Sequence, residues 1–199
     1  VINKDKPGTN VTGSSDLNPI GAQLDLIMQF VPNAKTIGTI YNSSEINSQF
    51  QVEILKKELA RYNVTLVEGT VSSVNDVQQV AQGLIGKIDA LYVPTDNIIA
   101  SAMPVLTKIT TPAKVPVITG EEGPLHGGGL ATVGVDYYEL GKIAGNMGAD
   151  ILEGKSKPAD MPIQYQKEFK VKVNEPVLKT LGLQLPEALK GKAELGDFH

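Results

Sequence analysis

Cysteine is absent from the 199 residues, which excludes disulfide and thiolate chemistry. Tryptophan is absent too, and aromatics make up 5% of the chain. Only His126 and His199 could serve as imidazole ligands, too few for an ordinary zinc site. No run of 18 apolar residues occurs, so nothing reads as a membrane span. An excess of positive charge is missing as well: 18 Lys and Arg face 22 Asp and Glu. A nucleic-acid binder usually carries a basic face, so no nucleic-acid partner is expected. No Gly-x-Ser-x-Gly motif is present to place a hydrolase nucleophile. Gly127-Gly128-Gly129 lacks the Lys-Ser/Thr pair of a phosphate loop and comes before a strand pattern, so it reads as a flexible turn. No catalytic residue, metal ligand or cofactor site is therefore expected.

What is present is apolar residue in quantity, 41% of the chain, enough for a sizeable core in one domain or two small ones. Five short apolar runs, 36–41, 64–68, 89–93, 115–119 and 130–135, read as strands. Helix patterns follow them at about 48–62, 74–87, 98–109 and 138–154. Another, Pro19 to Phe30, precedes them, with Leu24, Ile27, Met28 and Val31 as its stripe, Asn18 as its cap and Pro19 at its first position. Strands alternating with helices imply a parallel sheet covered on both faces, and near-continuous apolar strands fit that cover. The fold class is α/β: a parallel five-stranded, doubly wound, Rossmann-like sheet with its strands in the order 2-1-3-4-5, set by the right-handed crossover rule.

Four of the five strands end in polar or acidic loops. Ligands of open α/β sheets bind outside the carboxyl ends of the strands, so this edge is the candidate site. Ser44, Asn47, Ser48, Thr95 and Asn97 could donate to a carboxylate, helped by backbone N–H groups at helix starts. Asp96, Glu121 and Asp136 could accept from an ammonium. Tyr137 could stack on an aromatic ligand or pack at a hinge. The alternative for the Ser, Asn and Asp residues is plain helix capping.

Several segments together resemble a known family. They are Gly8-Thr-Asn-Val-Thr-Gly-Ser-Ser-Asp16, Pro32-Asn-Ala-Lys-Thr-Ile-Gly-Thr-Ile-Tyr-Asn-Ser-Ser-Glu-Ile-Asn-Ser48, Asp89-Ala-Leu-Tyr-Val-Pro-Thr-Asp-Asn97 and Val133-Gly-Val-Asp-Tyr-Tyr-Glu-Leu-Gly141. The chain is similar, from about Pro7 to Pro186, to the solute-binding proteins of ABC importers, in the branch associated with tryptophan and tyrosine. That resemblance implies one lobe of a two-lobed periplasmic-binding-protein type I fold, with the body of the first lobe missing and the chain a C-terminal fragment. In these terms 1–13 is a hinge segment from the missing lobe and 14–135 the ligand-binding α/β lobe. Residues 136–161 supply a helix of the other lobe, and 162–199 a return hinge and C-terminal helix from about Glu175 to Leu183.

The implied function is capture of a small ligand, an aromatic amino acid, in an interlobe cleft, with an ABC permease as partner and no chemistry performed. The implied location is extracytoplasmic, in the periplasm or lipid-anchored at the cell surface. Two rivals stand beside it: the effector-sensing core of a transcription regulator, which shares the architecture, and a doubly wound α/β enzyme. The 138–153 helix carries a stripe, Leu140, Ile143, Ala144, Met147 and Ile151, that would face the absent lobe. A dimer or swapped contact through this helix is therefore expected.

Overall fold

The computed structural model describes residues 3–198; Val1, Ile2 and His199, one of the two histidines weighed for zinc, lie outside the described residues. In chain order the elements begin β1 (Ser14–Ser15), α1 (Ile20–Phe30), β2 (Thr36–Asn42), α2 (Ile46–Leu59) and β3 (Thr65–Val71). They continue α3 (Val77–Leu84), β4 (Ala90–Val93), α4 (Asn97–Thr110), β5 (Val117–Thr119) and β6 (Ala131–Gly134). The rest are α5 (Tyr137–Leu152), β7 (Gln164–Tyr165), β8 (Lys170–Asn174), α6 (Glu175–Leu181) and β9 (Glu194–Gly196). The chain divides into two compact units. One takes in the chain up to Leu17 together with Val135–Phe169, the other Asn18–Gly134 together with the chain from Lys170 onward.

The larger unit is built on one sheet in the order β3-β2-β4-β5-β6-β8-β9. Its first five strands are parallel and stand in the expected order. β2, β4 and β5 are buried almost throughout, which is why their sequences run apolar without alternation. One face packs on α3 and α4: Ile40, Leu91, Val93 and Val117 of the sheet meet Val77, Ala81, Leu84, Ile99, Met103 and Leu106. The other face is covered by α1 and α2. α1 buries Ile20, Gln23, Leu24 and Ile27, the spacing of one helix face. The buried Gln23 is fully used there. It accepts from the Tyr92 hydroxyl at 2.7 Å and donates to the carbonyls of Gly120 and Val133, each at 2.9 Å. One side chain thus ties the ends of β4, β5 and β6 together, and burial pushes the Tyr92 hydroxyl's pKa up, keeping it a neutral donor.

The sheet exceeds the expected five strands by two. β8 pairs antiparallel with β6, from Ala131↔Val173 to Gly134↔Lys170, and β9 pairs parallel with β8. The segment read as a return crossing therefore ends as a strand. Its alternation, Lys170-Val171-Lys172-Val173, suits a strand with one wet face, and Val173 is fully buried. The cap of α1 also differs. Pro19 itself occupies the N-cap position without a side-chain bond, while the Asn18 amide donates to Thr95 Oγ1 at 2.8 Å. The pattern at 74–87 opens as a 3-10 turn, Val74–Asp76, before α3. The triple glycine is no flexible turn. A Cβ on Gly127 would lie 2.4 Å from Met103 Cβ, and one on Gly129 2.9 Å from Thr119 Cγ2, so this segment is glycine because it presses against α4 and β5.

The smaller unit pairs β1 with β7 in parallel, Ser14↔Gln164 and Ser15↔Tyr165. Its loops are laced by Gly8 N–H to the Ala159 carbonyl at 2.9 Å and Thr12 Oγ1 to the Met161 carbonyl at 2.7 Å. α5 buries Leu140 and Met147, half-buries Ile143 and Ile151, and leaves Ala144 exposed. Among the described residues no helix is long and apolar enough to cross a membrane.

Candidate ligand-binding site

The site lies in the larger unit at the carboxyl edge of β2 and β4, neighbours in the sheet although about fifty residues apart in sequence. After β2 the chain turns sharply. Asn42 Oδ1 accepts from Ser44 N–H at 2.9 Å, a local turn that exposes Ser44 and leads into α2. After β4, Asp96 caps α4, its Oδ1 accepting from Ile99 N–H at 3.0 Å.

Asp96 does more than cap. It is 2% exposed, and its Oδ2 accepts from Asn42 N–H at 2.7 Å and from Ser48 Oγ at 2.7 Å. A buried carboxylate needs several donors to offset lost hydration, and these come from both strand ends. Ser48 is fully buried, with Thr95 O as a second, longer acceptor at 3.2 Å. Thr95 is held on three sides: its N–H donates to Gln51 Oε1 at 3.1 Å, its carbonyl accepts from Asn47 Nδ2 at 2.9 Å, and its hydroxyl accepts from Asn18.

On the solvent side of this knot stands Glu45. It accepts from the N–H and Nδ2 of Asn97 at 3.2 and 3.0 Å, from Asn47 Nδ2 at 3.4 Å and from Asn42 Nδ2 at 3.4 Å. Burial opposes its ionisation, but the asparagine hydrogen bonds outweigh that and hold its carboxyl below the ordinary glutamate value. Asn47, Ser48, Thr95, Asp96 and Asn97 thus come together in one network. Ser44 adjoins it through Asn42. Glu121 follows β5 on the same sheet edge, with its carbonyl accepting from Thr119 Oγ1 at 2.7 Å. Close by, a Cβ on Gly134 would stand 2.5 Å from the Gly120 carbonyl, so that approach of β6 to β5 requires glycine.

Asp136 and Tyr137 belong to the other unit. Asp136 is exposed and caps α5, accepting from Tyr138 N–H at 2.9 Å and Glu139 N–H at 3.2 Å. Tyr137 is 49% exposed. Glu45 and Gln51 escaped sequence reasoning, and Asn18 was read only as the cap of α1. The one available signal was spacing: Asn47, Ser48 and Gln51 fall on one face of α2, which placed Gln51 beside the residues already singled out. Among the described residues, no three His, Cys, Asp or Glu side chains gather so as to hold a metal ion.

A doubly wound lobe with a polar loop network at its carboxyl edge belongs to the class of periplasmic-binding-protein type I folds. Residues 1–195 match the family described as ABC transporter substrate binding protein, and the chain belongs to that family. It is 44% identical over 180 residues to the tyrosine-binding protein of Clostridioides difficile strain R20291, covering 90% of this chain and 52% of that protein. The ligand-free, open structure of CD0873 from Clostridium difficile, a substrate-binding protein with adhesive properties, superimposes with a TM-score of 0.83 at 42% identity, over 99% of this chain and 66% of that one. The L-Trp complex of an ABC domain from Streptococcus pneumonia gives a TM-score of 0.88 at 37% identity, over 97% and 67%. Solved structures at 18% identity or less include sugar-binding proteins and LacI-family regulators, and share the fold alone. The chain spans about half the length of the curated relatives it matches.

Proposed function

We propose that this chain is the ligand-gripping part of a solute-binding protein that delivers an aromatic amino acid to an ABC permease and performs no chemistry. The observation that carries this reading is the solvent-facing asparagine and carboxylate network at the β2 and β4 ends, in a chain 44% identical to a tyrosine-binding protein. Such a network sets exposed polar groups and a carboxylate where a small charged ligand could meet them. In this reading the larger unit draws its ligand contacts from Ser44, Asn47, Thr95, Asn97 and Glu121, and the smaller unit's own candidates are Asp136 and Tyr137. Asp96 and Ser48, buried and engaged, hold the loops that carry the contacts. Family members work outside the cytoplasm; a periplasmic or lipid-anchored position is part of the proposal. So is self-association through α5, whose exposed apolar remainder is smaller than its stripe suggested because Leu140 and Met147 are buried. Sedimentation of the chain as a monomer would remove that element.

The test is purification of the full-length protein from cells, mass spectrometry of the released ligand, and calorimetry with the twenty amino acids. Release of L-tyrosine or L-tryptophan, with binding to the emptied protein, is the expected result. Release of a sugar, or no binding of any amino acid, would overturn the reading.

A further inference from the structure

We propose that Glu45 is a positioning residue that fixes the sense of the neighbouring asparagine amides, so that this edge meets the ammonium end of an amino acid and not its carboxylate. The inference deepens the reading above and rests on it.

Glu45 occupies the N-cap position of α2, yet its side chain makes no cap bond there. It reaches instead to the β4–α4 junction, where it takes the N–H and Nδ2 of Asn97 at 3.2 and 3.0 Å. An ionised carboxylate only accepts, so every amide turned towards it must present its NH2. The consequence is sharpest at Asn47. Its Nδ2 has two hydrogens and two acceptors, the Thr95 carbonyl at 2.9 Å and Glu45 Oε2 at 3.4 Å. Asn47 is exposed, and with both N–H groups engaged the group it has left to offer is its carbonyl oxygen. The outer face of this loop pair then carries an acceptor oxygen beside a carboxylate held ionised. That is a surface for a cation such as an alkylammonium, and a poor one for a carboxylate. The sequence-based expectation for Asn47, a donor to the ligand's carboxylate, is reversed.

The experiment uses the full-length protein and three probes: L-tyrosine, tyramine, which keeps the ammonium alone, and 3-(4-hydroxyphenyl)propionate, which keeps the carboxylate alone. Glu45→Ala and Asn47→Ala should each weaken L-tyrosine and tyramine by about tenfold, the worth of one charge-assisted contact. Each should leave the propionate within about twofold. The double variant should lose little more than either single one, because Glu45 acts through Asn47. Equal weakening of all three probes, or weakening confined to the propionate and L-tyrosine, would overturn the assignment. A separate measurement on the ligand-free protein keeps the two readings apart. Hydrogen exchange at the Asn97 amide should quicken in Glu45→Ala, and an unchanged rate would refute the clamp. If no probe binds wild type, the proposed function fails, and this exchange rate alone decides the role of Glu45.

Discussion

Two junctions of this molecule look alike in sequence. Asp96 follows an apolar strand and opens α4; Asp136 follows another and opens α5. Both cap their helices. Around Asp96, however, the loop after β2 folds over, and the carboxylate becomes a buried bridge between Asn42, Ser48 and Ile99. Asp136 stays exposed and serves its own helix. One local pattern thus yields two kinds of carboxylate. The difference comes from which strand lies next door in the sheet.

The comparison breaks most visibly at Asp96. Its replacement by Ala should strand the Asn42 N–H in the interior, leave the Ser48 hydroxyl only its longer bond to the Thr95 carbonyl, and remove a cap, a loss of roughly 3 kcal/mol. For a chain of this length that is a fall in melting temperature of about 6–12 °C. Urea titration and a thermal melt would measure it, and a variant as stable as wild type would show that the bridge is idle. Asp136→Ala should cost only the cap, about 1 kcal/mol or less. In the full-length protein it should instead weaken the amino-acid ligand, read by calorimetry beside the melt. Equal loss of stability in the two variants would erase the contrast.

The smallest effect concerns acid. Glu45's carboxyl is held below its ordinary value, so its contribution is fully present above the ordinary glutamate range and is lost as pH falls through the lowered value. Asp76, held down by hydrogen bonds from Ser72 and Ser73, acts in the same direction. The difference between wild type and Glu45→Gln isolates the first term: their urea midpoints should converge on acidification. Parallel curves down to acid pH would mean that Glu45's partners do not discriminate its ionised form.

Much of the fold was legible because burial on both faces writes itself as unbroken apolar runs. β2, β4, β5 and β6 were found that way, and their order followed from the handedness of crossovers. β8 escaped because Lys170-Val171-Lys172-Val173 is half polar, and β9 because Glu194–Gly196 is three residues with little apolar character. The edge of the sheet was legible as a place, through its Asn, Ser and Asp loops. The division of labour within it was not. Nothing local to Asp96 foretells that Asn42 and Ser48 will close over it, since that follows from β2 lying beside β4. Glu45 was overlooked for a related reason: an acidic residue before a helix is ordinarily accounted for by the helix dipole, and its real partner, Asn97, lies 52 residues away.

The pairing of β8 with β6 carries a consequence for biosynthesis. The chain leaves the larger unit after Gly134 and returns to it at Lys170. As the polypeptide emerges from the ribosome, β6 must wait for some three dozen further residues before its partner exists. During that interval one row of its backbone N–H and C=O groups has no strand to bond, and such an edge is a template for wrong pairing. A nascent chain stalled between these points should therefore lean on chaperones more heavily than one released after Gly196.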